Sequence, residues 1–193
     1  LGPEDLVVGF FGFMNHSKGI ETLVEAIAAL ADDQERVHLL FIGGKTGTSD
    51  PTNAAYADKI DHHIESLGIR SRVHRTGYAS DSEVSAALRA IDVCALPYRD
   101  GANLRRGTLH AALAHGCAIV TTKPKTSIPD LQHDDHVWFV PPDDPHALAN
   151  AIRDLSRNPS YRAQLGRAAA ELAKRYTWPQ IAAQVDAFFQ SFS

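Results

Sequence analysis

The sequence predicts an α/β domain on a doubly wound parallel sheet of six strands, in the order 3-2-1-4-5-6, with helices on both faces. Three observations predict it. Short apolar runs alternate with segments of helical periodicity along the whole chain. Those runs are near-continuous instead of alternating, as in strands covered on both faces. The 193 residues suit a single domain spanning 1–193, long enough to bury a core.

The elements follow in order. Leu6 to Phe13 (LVVGFFGF) is the first strand. Lys18 to Ala31 is the first helix, with Ile20, Leu23, Val24, Ile27 and Leu30 on one stripe. Val37 to Ile42 is a strand closed by Gly43-Gly44, and Lys45 to Asn53 is polar loop. Ala54 to Leu67 is a helix stopped by Gly68. Val73 to Thr76 is a short strand. The helix to Ala90 begins at Ser80 or Asp81, with Glu83 placed for a capping box. Val93 to Leu96 is a strand ending at Pro97, and a loop leads to a helix over 106–115. Ala118 to Thr121 and Val137 to Val140 complete the sheet. Helices over 145–156, 160–176 and 179–192 complete the chain.

Composition excludes several classes. Hydrophobic residues at 44% and charged residues at 22% are globular values, which rules out disorder and coiled coil. The net charge of −4 is not that of a nucleic-acid binder. No apolar stretch approaches the ~18 residues of a membrane helix, and no signal peptide is visible. Cys94 and Cys117 lie in apolar runs, as buried reduced thiols of a cytoplasmic-type domain. The Met-less start at Leu1 fits a piece cut from a longer protein.

Open sheets of this kind bind ligands at the carboxyl ends of their strands. Three loops there carry chemistry. In Gly12-Phe13-Met14-Asn15-His16-Ser17-Lys18-Gly19, Gly12 permits close approach to the backbone. Lys18 adds a charge at a helix N-terminus suited to an anion. Gly-x-Gly-x-x-Gly is absent, which disfavours a dehydrogenase. Gly43-Gly44-Lys45-Thr46 is not a P-loop, because Leu39 occupies the place of the first glycine. The third loop runs from Pro97 to Leu109. From Tyr98 to Lys125 there are five basic residues (Arg99, Arg105, Arg106, Lys123, Lys125) and one acid, Asp100, a local excess of four positive charges on an acidic chain. Such focusing favours a small polyanion such as a diphosphate. His62-His63 and His133-Asp134-Asp135-His136 lack metal-ligand spacing and are assigned to surface chemistry, so no metal is expected.

The ordered set of motifs resembles the C-terminal, donor-binding domain of GT-B glycosyltransferases of the group 1 retaining family (family 4-like). It covers nearly the whole chain. The motifs are Gly12 to Gly19, Phe41-Ile42-Gly43-Gly44, Val73 to Tyr78, Ile91-Asp92-Val93-Cys94-Ala95-Leu96-Pro97, Ala112 to Thr122 and Tyr176-Thr177-Trp178. The resemblance implies a Rossmann-like half of a GT-B enzyme. It implies transfer of a sugar from a nucleotide-diphosphate donor, UDP- or GDP-type, with retention and no obligatory metal or other cofactor.

Carried onto this chain, the resemblance assigns Lys18 to the donor diphosphate and Asp100 to the sugar hydroxyls. The amides of Gly101, Ala102, Asn103 and Leu104 would serve the phosphates, with Gly12 at the strand end. The base would lie beside Thr76, Gly77 and Tyr78. Two family residues are absent: the Arg of the first loop is Phe13 here, and the ribose carboxylate is Ala111, so the Glu-x7-Glu region is divergent. Arg105 or Arg106 is expected to replace the missing Arg through charge-assisted bonds. The acceptor, a sugar or lipid, would be met through an N-terminal domain outside this chain, with peripheral membrane contact at most, at the inner face. A non-catalytic, glycosyltransferase-like scaffold module is the alternative. A GT-B-like sugar-nucleotide epimerase is disfavoured by the motif order.

Overall fold

The computed structural model describes residues 2, 4–33, 35–44 and 51–192. Six strands form one parallel sheet: β1 (Leu6–Phe11), β2 (Val37–Ile42), β3 (Val73–Arg75), β4 (Val93–Leu96), β5 (Ile119–Thr122) and β6 (Trp138–Val140). Their order is β3-β2-β1-β4-β5-β6, as the sequence predicts. β1 is central, paired with β2 from Leu6↔Val37 to Phe11↔Ile42 and with β4 at Val8↔Val93. The order reverses between β1 and β4, so their carboxyl ends flank the crevice where such sheets take ligands. All four residues of β4 and of β5 are buried, which explains their unbroken apolar runs.

Seven helices are present among the described residues: α1 (Ile20–Asp32), α2 (Pro51–Ser66), α3 (Asp81–Ala90), α4 (Gly107–Ala114), α5 (Pro145–Arg157), α6 (Pro159–Ala173) and α7 (Trp178–Gln190). α1 packs on α5 and α2, and α4 packs on α6. The α4–α6 side is tight at one point: a β-carbon on Gly166 would fall 2.2 Å from the Gly116 carbonyl oxygen. Caps set several helix starts. At α3 the Glu83 carboxylate accepts from the Ser80 amide at 2.8 Å and the Ser80 hydroxyl accepts from the Glu83 amide, the expected capping box. Asp144 and Asn158 accept from the Ala147 and Tyr161 amides and start α5 and α6 with a proline next in line.

Several boundaries differ from the expected ones for local reasons. β1 stops at Phe11, because Gly12 turns the chain at φ 129°. α1 starts at Ile20, not Lys18; residues 16–18 form a 3₁₀ turn. α2 starts three residues early, at Pro51, and the remainder of the expected loop, Lys45 to Asp50, lies outside the described residues. The helix expected over 160–176 is α6 followed by a 3₁₀ turn over 174–176. Cys94 and Cys117 are both buried and unbridged, as expected. Among the described residues no helix is long and apolar enough to cross a membrane.

Candidate functional site

The two loops flanking the β1/β4 crevice are locked together. The Arg99 amide donates to the Ser17 carbonyl at 3.1 Å. Gly19, in left-handed conformation at φ 64°, lies directly against Pro97. Gly19 opens α1 without any side-chain cap, so the helix presents its positive end at the crevice.

Tyr98 forms the floor. It is fully buried, and its hydroxyl meets the Thr108 Oγ1 at 2.6 Å. Burial pushes its phenol well above the usual range, so it is neutral and a hydrogen-bonding partner only. Two cations stand over its ring. The Arg106 guanidinium carbon is 4.2 Å from the ring centroid and the Lys18 Nζ 5.1 Å. Arg106 also pairs with Asp100, and its Nε is buried without a hydrogen-bond partner. Burial pushes the Lys18 ammonium down to about 8; Arg106 adds to this and Asp100 opposes it. The arrangement is two converging cations with one partly exposed carboxylate between them and solvent. A group of two adjacent negative charges is its natural complement.

The β4–α4 loop is otherwise self-satisfied. The Gly101 amide donates to the Tyr98 carbonyl at 3.2 Å and the Ala102 amide to the Thr122 carbonyl at 3.1 Å. Both residues are buried. Gly101 is required by close approach, since a β-carbon would lie 2.7 Å from the Lys123 carbonyl oxygen. These two amides are therefore committed inside the protein. Those of Asn103 and Leu104 donate no such backbone hydrogen bond among the described residues. The Asn103 side chain accepts from the Arg105 amide at 3.1 Å, shaping the turn into α4.

The five basic residues of this stretch do not form one patch. Arg99 turns to the far rim and pairs with Asp143 at 3.0 Å and Glu21 at 3.6 Å. Arg105 is exposed and lines a separate cavity of about 450 Å³ with Asp100, Asn103, Lys125 and Ser127. Of the two candidates for the missing first-loop arginine, Arg106 is thus beside Lys18 and Arg105 is not. Phe13 is exposed at the mouth.

Thr76, Gly77 and Tyr78 follow β3, two strands from β1, so roughly 10 Å to the side. The Thr76 hydroxyl accepts from the Gly43 amide at 2.9 Å, and Gly43 bridges Gly77. Tyr78 projects with 93% of its surface exposed. The Gly12 amide donates to the Ile42 carbonyl at 3.2 Å, and a β-carbon on Gly12 would fall 2.9 Å from the Thr108 methyl. A cavity of about 590 Å³ at the opposite, amino end of the sheet is lined by charges already paired, Arg162 with Asp92 and Arg157 with Glu35.

The histidine clusters are engaged locally. His63 of α2 pairs with Glu25 of α1 at 3.0 Å, and His133 accepts from the Phe139 amide at 2.9 Å. Sequence reasoning did not single out Tyr98, Thr108, Glu21 or Tyr56. A tyrosine at the end of an apolar strand beside two basic loops was the one local signal available.

Comparison with known proteins adds to this geometry. A family model described as glycosyl transferases group 1 matches residues 5–158. A D-inositol 3-phosphate glycosyltransferase of Corynebacterium glutamicum is 30% identical over 193 residues, covering 95% of this chain and 43% of that protein. A phosphatidyl-myo-inositol mannosyltransferase of Mycobacterium leprae is 26% identical over 168 residues, covering 87% of this chain and 41% of that protein. The chain thus spans less than half the length of these curated relatives. Among solved structures, sucrose-phosphate synthase from Thermosynechococcus elongatus superposes at a TM-score of 0.84, with 25% identity, over 100% of this chain and 46% of that one. The Anabaena protein HepE in complex with UDP superposes at 0.83, with 21% identity, over 97% of this chain and 49% of that one.

Proposed function

Because the chain belongs to the glycosyl transferases group 1 family, we propose that it is the nucleotide-sugar-binding half of a glycosyltransferase of GT-B architecture. The observation that carries this reading is the convergence of Lys18 and Arg106 over the buried Tyr98 ring, at the sheet's switch point. The donor diphosphate lies across these two cations, with the open N-terminus of α1 and the Asn103 and Leu104 amides beside it. The base reaches Thr76, Gly77 and Tyr78, and the sugar extends past Asp100 towards the cavity lined by Asn103, Arg105 and Lys125. A fold neighbour crystallised with UDP supports a uridine or similar donor.

In this reading the residues act by position and charge. Bond cleavage at the anomeric carbon leaves a nucleoside diphosphate, whose developing negative charge Lys18 and Arg106 stabilise. Asp100, exposed on its outer side, orients sugar hydroxyls. The anomeric configuration is retained, and the acceptor, a sugar or a lipid headgroup, enters from a second domain. A non-catalytic donor-like module is favoured by one observation: exposed Phe13 stands where the family resemblance places an arginine. Turnover of labelled nucleotide sugar by the two-domain protein separates the two.

Thermal denaturation with a panel of nucleoside diphosphates tests the reading. A matched diphosphate at 100 times its Kd raises stability by about 2.7 kcal/mol. A flat response to UDP, GDP, ADP and their sugar conjugates at millimolar concentration contradicts it.

A further inference from the structure

Glu21 is a buried carboxylate in the first turn of α1, three residues from Lys18. It gathers three partners from two other segments. The Tyr56 hydroxyl of α2 donates to its Oε2, Lys59 of α2 stands 3.5 Å from its Oε1, and Arg99 of the β4–α4 loop stands 3.6 Å from its Oε2. Arg99 in turn contacts His16 of the β1–α1 loop and Asp143 of the loop after β6. Burial pushes the Glu21 carboxyl up, but the Tyr56 hydroxyl, its own backbone amide, Arg99 and Lys59 outweigh burial and hold it below its usual range. It is a fixed anion. Helices α1 and α2 and three loops at the carboxyl end of the sheet are therefore tied through Glu21 and Arg99.

That knot lies behind the site. Arg99 is the neighbour of both Tyr98 and Asp100, and its amide is bonded to Ser17, the neighbour of Lys18. Displacing Arg99 moves the two loops that bring Lys18 and Arg106 to the same ring. We propose that Glu21 is a positioning residue of the anion site: with Arg99 and Tyr56 it clamps the β1–α1 loop against the β4–α4 loop so that Lys18 and Arg106 converge. The proposal rests on the donor-binding reading for its ligand, but not for its geometry.

The test is Glu21→Gln, which keeps shape and removes charge, with Tyr56→Phe as the milder companion. Two readouts are taken on the 193-residue chain: UDP affinity, and the pH titration of Lys18 followed by NMR at its Cε. The clamp predicts at least a tenfold loss of UDP affinity in Glu21→Gln and a smaller loss in Tyr56→Phe. It also predicts that Lys18 titrates at higher pH in Glu21→Gln, because the loosened loop returns it to solvent. Loss of a nearby negative charge alone would move that titration down, so the sign separates positioning from plain electrostatics. Should Glu21→Gln not fold, Tyr56→Phe, which changes no charge beside Lys18, carries the same two readouts. UDP affinity within twofold of wild type, or a Lys18 titration unmoved or lowered, overturns the clamp. If the wild-type chain itself does not bind UDP or GDP, the donor-binding reading fails, and the Lys18 titration still decides the clamp.

Discussion

Gly19 lies so close beneath Pro97 that a β-carbon on it would fall 2.0 Å from the Pro97 carbonyl oxygen. This contact sets the distance between the loop that carries Lys18 and the loop that carries Arg106. It also requires a left-handed backbone at Gly19. Gly19→Ala therefore meets both a strained φ and a backbone clash. The expected cost is about 2 kcal/mol or more, a fall in Tm of roughly 4–8 °C for a chain of this size. Calorimetric unfolding measures it.

Lys18 is held to about 8 mainly by burial and secondarily by Arg106. Its folded pKa is below its unfolded one, so the charged form costs stability below about pH 8, and that cost disappears as pH rises towards the unfolded value near 10.4. Partial exposure screens the effect to the order of 1 kcal/mol. Lys18→Met is expected to raise Tm by roughly 2–4 °C at pH 7, while weakening diphosphate binding. In the wild type, UDP affinity is expected to fall as pH rises through about 8, as the ammonium loses its proton. Calorimetric titrations at pH 7 and pH 9 check this.

Arg106 and Arg105 are adjacent in sequence and differ in consequence. Arg106→Ala removes charge-assisted bonds to the diphosphate and is expected to weaken UDP binding about 10- to 100-fold. Arg105→Ala, which alters the exposed neighbouring cavity, is expected to change it less than about threefold, the range of an exposed contact. Parallel titrations of the two variants decide.

The α/β order was legible because buried parallel strands are unbroken apolar runs, and β4 and β5 are buried at every position. Ser80 and Glu83 announced α3 because a capping box is local. The end of β1 was misplaced because Phe13 extends the apolar run, whereas the turn at Gly12 follows from its φ of 129°. Choosing between Arg105 and Arg106 needed the backbone at the start of α4, which sends one outward and the other onto Tyr98. The Glu21 knot was out of reach of sequence, since Tyr56, Arg99 and Asp143 meet it only after folding.

Tyr98 separates packing from hydrogen bonding. Tyr98→Phe keeps the ring under both cations and loses the 2.6 Å bond to Thr108. The expected cost is about 1 kcal/mol of stability with UDP affinity retained. Tyr98→Leu loses the ring as well, and is expected to weaken UDP binding in addition. Chemical denaturation and binding on the same samples distinguish the two effects.

The central claim is that Lys18 and Arg106 together hold a nucleoside diphosphate. Isothermal titration of UDP and GDP into the wild-type chain and into the Lys18→Ala/Arg106→Ala double variant tests it most directly. The account predicts binding of at least one diphosphate by the wild type, weakened about 100-fold or more in the double variant, as loss of two charge-assisted contacts implies. Equal affinity in the two proteins, or no binding by the wild type, contradicts it.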